Sequence, residues 1–181
     1  AIIVGDPLDK KTQVGPLATA HQVERAHDVI DKSLKQGAKI VFGGKRPDHL
    51  SEGWYFEPTL LDCPNQAIDC VSTELFAPVI SAITFDTEEE AIEMANDSDF
   101  GLGAGVFTEN LARAHRVSQK IHSGIVWVNT YRAVSFMSPF GGYKRSGRGR
   151  ESGQESIKEF LQTKSIWIAE KTSVSNPFII R

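Results

Sequence analysis

Cysteine is scarce: the 181 residues contain two, Cys63 and Cys70. Two thiols in neither a Cys-x-x-Cys nor a Cys/His zinc spacing make no disulfide framework and no metal knuckle. They read as ordinary, partly buried thiols, with nothing nearby to stabilise a thiolate. Long hydrophobic runs are missing too. The longest mostly apolar stretch, Phe76 to Phe85, is broken by Ser81 and Thr84 and falls far short of the ~20 residues that cross a bilayer. No basic-plus-apolar leader opens the chain, which with the sparse cysteine points to a reducing cytoplasm. Neither sign of charge dominates, because 20 Lys+Arg against 23 Asp+Glu leave −3. No general pull toward nucleic acid or a membrane surface is expected. What is present, 40% hydrophobic and 24% charged residues, is the composition of a folded domain. A chain of this size buries roughly 70% of its surface without staples. It starts Ala1-Ile2-Ile3-Val4-Gly5, as a piece of a longer protein would.

Helical and strand patterns alternate along the chain. Thr19 with Gln22 forms a capping box ahead of an apolar stripe of Val23, Ala26, Ile30 and Leu34, and Gly37 follows as the C′ residue. Ala38 to Phe42 has the pattern of a buried strand closed by Gly43-Gly44. Tyr55 to Leu61 is a second strand, which Pro58 assigns to an edge or an irregular position. Val79 to Phe85 is a third. Thr87 and Glu90 start another helix, whose Glu88, Glu89 and Glu90 oppose the positive end of the helix dipole rather than bind metal. Gly103 to Phe107, a helix carrying Leu111, Ala114, Val117 and Ile121 and ended by Gly124, and the strand Ile125 to Val128 follow. The last strand expected is Phe160 to Ile168. This alternation predicts an α/β fold, an open twisted sheet with helices on its faces. Residues 1–159 form its body, 160–168 a terminal strand and 169–181 a tail.

Several glycine and charge clusters carry no chemistry. Gly101-Leu102-Gly103-Ala104-Gly105 precedes a strand, where a phosphate loop follows one, and Gly142 to Gly149 has Arg148 where a Walker loop needs lysine. Lys144, Arg145, Arg148 and Arg150 are better placed to satisfy carbonyls and carboxylates in a glycine-rich turn than to bind nucleic acid. The five histidines are scattered and read as surface residues. Two segments exceed what packing needs. Glu74-Leu75-Phe76-Ala77-Pro78-Val79 sets a lone carboxylate and an aromatic before a buried run, and 129–151 is a glycine-punctuated loop after a strand, where α/β folds place ligands.

At these segments the sequence resembles the aldehyde dehydrogenase superfamily. The matching blocks are Val4-Gly5-Asp6-Pro7-Leu8-Asp9, Gly15-Pro16-Leu17, Glu74 to Val79, Phe100-Gly101-Leu102, Val126-Trp127-Val128-Asn129 and Pro139-Phe140-Gly141-Gly142-Tyr143-Lys144 through Glu151. Ala77 stands where the family more often has glycine. The resemblance covers only the C-terminal part of the catalytic domain of such enzymes. It implies that the nucleophilic cysteine, the general base and the nucleotide-binding domain lie upstream of Ala1, so that no catalytic residue and no metal ligand falls within the chain. The full enzyme would oxidise an aldehyde to an acid with NAD or NADP, through a cysteine thiohemiacetal. Glu74 and Phe76 would contact the cofactor; Phe140, Val134, Tyr131 and Phe136 would line the aldehyde pocket. The resemblance further implies a homo-oligomer, dimer or tetramer, with residues 160–168 as its assembly strand. Alone the chain is expected to be inactive. The alternative is a non-catalytic interaction domain or natural short form that keeps the fold.

Overall fold

The computed structural model describes residues 2–170. Alternating helices and strands form two units, Ala1–Ser98 and Asp99–Arg181. The α/β class read from the sequence is what forms. Among the described residues the strands fall into three small sheets, one of three strands and two of two.

In the first unit, α1 (Ala20–Lys35) opens with the expected capping box. The Gln22 backbone N–H donates to Thr19 Oγ1, and Gln22 Oε1 accepts from the Thr19 N–H. The buried face comprises Ala26, Val29, Ile30 and Ser33; Leu34, assigned to the inner stripe, is exposed. Ser33 tolerates full burial because its hydroxyl donates to Val29 O at 2.7 Å and accepts the Cys70 N–H at 3.0 Å. Gly37 has φ +106°, as a C′ glycine requires.

Strand β1 (Lys39–Phe42) pairs antiparallel with β2 (Thr59–Asp62), which runs parallel to β3 (Val79–Ala82). The expectation that β1 is buried is overturned: Ile40, Val41 and Phe42 are all exposed. An apolar run implies burial only if something covers the edge strand, and within the described residues nothing does. Pro58 precedes β2 rather than sitting in its ladder, so β2 occupies the centre despite it. Thr59 and Leu61 point into a core of Phe56, Ile30, Cys63, Ile68, Cys70 and Leu75. Helix α2 (Asp69–Ser72) lies against α1, and α3 (Glu88–Asn96) starts at Thr87, whose Oγ1 accepts the Glu90 N–H.

In the second unit, β4 (Phe100–Gly101) precedes β5 (Gly103–Val106), α4 (Leu111–Lys120) and β6 (Ile125–Val128). β5 and β6 are parallel, with α4 packed on both as the crossover. β7 (Tyr143–Lys144) pairs antiparallel with β4. Gly124 does not end α4, which stops at Lys120. Its role is close approach: a Cβ there would collide with the Gly141 carbonyl.

The strand expected at Phe160 to Ile168 does not form. Gln154–Phe160 is a 3₁₀ segment, and residues 161–169 have no regular structure. Apolar, β-branched residues favour an extended backbone, but a strand needs a neighbour's ladder, and none is present among the described residues. The rest of the tail, from 171 on, lies outside the described residues.

Candidate functional site

The segment after α2 alternates sharply between inside and outside. Leu75 is buried at 7% exposure in the first unit's core. Its neighbours Glu74 and Phe76 are both exposed. Phe76 has φ 52°, a left-handed conformation that non-glycine residues adopt at a cost on the order of 1 kcal/mol. The surroundings hold it there. Val79 N–H closes onto Ala77 O at 2.7 Å, and Pro78 O accepts the Thr59 N–H at 2.8 Å, tying the turn to β2. The Glu74 carboxylate meets no donor among the described residues. It is a free anionic acceptor beside an outward-facing aromatic ring, a pairing suited to a ligand that offers hydroxyls and a flat ring.

The second unit builds a pocket from the loop after β6. Asn129 starts it with φ 52°, its backbone N–H still bonded to Val106 O at 2.8 Å. Its side-chain amide bridges the Thr108 N–H and C=O, both at 2.8 Å. Trp127, on β6, donates its indole N–H to Ala133 O at 2.7 Å and meets the Tyr131 ring edge-on at 5.5 Å. At the far end of the loop Phe140 and Glu151 exchange two backbone hydrogen bonds of 2.7 Å. Gly153 N–H reaches back to Phe136 O at 2.8 Å. The loop therefore borders an open pocket of about 590 Å³, lined by Trp127, Val134, Phe136, Ser138, Phe140 and Glu151 among others. That size and mainly apolar wall suit a small organic molecule.

Of the residues singled out in the sequence, Val134, Phe136 and Phe140 thus share one wall. Tyr131 packs on Trp127 instead of lining the cavity. Glu74 and Phe76 belong to the other unit. Sequence reasoning missed Trp127 as a lining residue and loop clamp; its place two residues before Asn129 on a strand was the available signal. The basic turn is spent on structure. Arg150 Nη1 donates to the carbonyls of Gly142 and Gly149 at 2.9 Å, while its guanidinium sits 5.6 Å over the Tyr143 ring. Arg145 pairs with Asp99 at 2.8 Å.

Cys63 and Cys70, expected to be partly buried, are both buried, and they are neighbours, with Sγ atoms 3.5 Å apart. Burial, reinforced by the adjacent Cys70 thiol, pushes Cys63 up to about 11. A neutral, enclosed thiol is a poor nucleophile toward a bulky substrate.

Comparison with known proteins gives this geometry its context. Residues 1–166 match the model of the aldehyde dehydrogenase family. The chain is 46% identical over 183 aligned residues to (Z)-2-((N-methylformamido)methylene)-5-hydroxybutyrolactone dehydrogenase of Acinetobacter baylyi, covering all of this chain and 37% of that protein. It is 42% identical to betaine aldehyde dehydrogenase of Cereibacter sphaeroides, covering 93% of this chain and 34% of the relative. Among solved structures, the Mycobacterium tuberculosis aldehyde dehydrogenase complexed with NAD+ superposes with a TM-score of 0.88 at 40% identity, over 96% of this chain and 36% of that one. Betaine aldehyde dehydrogenase of Staphylococcus aureus with NAD+ superposes with a TM-score of 0.90 at 37% identity, over 98% and 36%. The chain spans little more than a third of the length of these relatives. With a family model running through 166 of its residues and close agreement in both sequence and fold, the chain belongs to the aldehyde dehydrogenase family.

Proposed function

We propose that this chain supplies the cofactor-orienting segment and one wall of the substrate pocket of an NAD(P)-dependent aldehyde dehydrogenase. The observation that carries the reading is the Glu74-Leu75-Phe76 arrangement: a buried anchor with an unpartnered carboxylate and a strained, outward aromatic on either side. A nicotinamide dinucleotide would take up the hydride removed from the aldehyde. Glu74 accepts hydrogen bonds from the ribose hydroxyls, and Phe76 packs beside the ring and limits its rotation. The carboxylate thereby converts binding energy into orientation, which is where an enzyme of this kind gains rate.

Val134, Phe136 and Phe140 form the apolar face against which the aldehyde side chain packs, and they exclude water from the reacting carbon. Tyr131 supports that face through Trp127. The nucleophile and general base come from sequence outside these 181 residues, since Cys63 and Cys70 are both buried and burial pushes the Cys63 thiol up to about 11. The isolated chain is accordingly inactive. In the complete enzyme, Glu74→Gln slows hydride transfer by about tenfold or more, the loss of one charge-assisted hydrogen bond of roughly 1.5 kcal/mol, with the melting temperature unchanged because the side chain is exposed. Stopped-flow absorbance of the reduced nicotinamide measures the rate. Unaltered turnover and cofactor affinity would remove Glu74 from the site.

A further inference from the structure

The two cysteines have no part in the proposed chemistry, yet the fold brings them together from separate elements. Cys63 directly follows β2, its N–H bonded to Ala82 O at 2.8 Å. Cys70 lies in α2, where its N–H donates to Ser33 Oγ at 3.0 Å and its carbonyl accepts the Ser81 hydroxyl at 3.0 Å. Seven positions apart in the chain, their Sγ atoms are 3.5 Å apart, in direct contact. Among the described residues no group of three or more metal-binding side chains forms, so the pair lacks the further ligands that a zinc site needs.

We propose that Cys63 and Cys70 are a redox modification site, which a small peroxide converts to an intramolecular disulfide. The sulfurs need approach by only roughly 1.5 Å to reach the S–S bond length of about 2.05 Å. Cys70, 7% exposed against 2% for Cys63, meets the oxidant first. Its sulfur attacks one peroxide oxygen as the thiol proton passes to the other; the O–O bond breaks, water leaves and a sulfenic acid remains. The Cys63 sulfur then attacks the Cys70 sulfur, the S–O bond breaks, and the leaving hydroxide takes the Cys63 proton as the second water. Two thiols lose two electrons and two protons in all, and one peroxide becomes two waters. Burial of Cys63 excludes bulky oxidants and keeps the pair reduced under ordinary conditions. The bridge ties the end of β2 to α2, four residues before Glu74.

The test uses the reduced protein, treated with hydrogen peroxide and digested with a protease that cuts before aspartate. Cleavage at Asp62, Asp69 and Asp86 separates the two cysteines. The expected product is residues 62–68 joined to 69–85, two hydrogens lighter than the free peptides and released by dithiothreitol. The oxidised protein should melt about 5 °C higher, because the bridge removes loop entropy from the unfolded chain. Cys63→Ala and Cys70→Ala should each abolish the joined peptide; either one, if folded, suffices. Sulfinic acid at Cys70 without a bridge, two unmodified thiols in the folded protein, or linkage only between the cysteines of two separate chains overturns the proposal. Each outcome is read by mass and does not depend on the catalytic reading.

Discussion

Leu75 sets the direction of two neighbours it does not resemble. Once its side chain is in the core, the period-2 alternation of an extended segment turns Glu74 outward, and the left-handed φ of Phe76 turns the ring outward as well. Val134 is the comparable residue in the second unit, exposed at the mouth of the cavity with no packing partner to lose. Val134→Trp should therefore leave stability within ~0.5 kcal/mol while occupying pocket volume. In the complete enzyme, kcat/KM measured across straight-chain aldehydes should shift toward the shorter ones. An unchanged profile would place the substrate elsewhere. Cys63 gives a prediction in pH. Its folded value, about 11, lies above the ordinary 9.0, so the folded state favours the neutral thiol. That contribution to stability is complete below pH 9 and is lost as the pH rises toward 11. Under reducing conditions the parent should lose melting temperature more steeply between pH 9 and 11 than Cys63→Ala does.

At the level of elements, helix boundaries follow local chemistry and strand burial does not. α1 begins just after Thr19 because its hydroxyl and the Gln22 amide satisfy N–H groups that would otherwise lack partners. Thr19→Ala should cost about 1 kcal/mol, read as a lower urea midpoint with an unchanged slope. A changed slope would mean that the cap also shapes the unfolded chain. β1 shows the opposite case. Its Ile40-Val41-Phe42 run has the composition of a core strand but forms an exposed edge. Exposure there depends on what packs against the sheet, which no property of the four residues encodes.

For the molecule as a whole, the exposed end of the described chain is the feature that calls for a partner. Ile166, Trp167 and Ile168 are 74%, 95% and 87% exposed, with no pairing strand among the described residues. Three consecutive apolar, strand-favouring residues that pair with nothing described are the kind of segment that β-addition to another chain would cover. Residues 160–168 are accordingly proposed to join subunits in a dimer or tetramer of the complete enzyme. Deleting them should lower the assembled mass measured by light scattering, while the circular dichroism of the remaining fold persists. Assembly of unaltered size would show that the segment lies outside the interface.

The α/β class, the capped starts of α1 and α3, the C′ glycine at 37 and the family blocks around Glu74 and Phe140 were all legible in the amino acids. Each depends on interactions within a few residues or on a motif read in order. Ser33 was not legible, because a serine becomes a core residue only when Val29 O and the Cys70 N–H both meet its hydroxyl. Nor was the Cys63–Cys70 contact, which requires β2 and α2 to meet. Gly124 was assigned to a helix end, whereas its place is set by the Gly141 backbone packed against it. The pocket belongs to the same group. Trp127 shapes it by reaching Ala133, and Phe140 and Glu151, which pair across the loop, both line it. Hydrogen bonds and caps between near neighbours are properties of a local segment; burial, sulfur contact and cavity walls are properties of surfaces that meet only after the chain has folded.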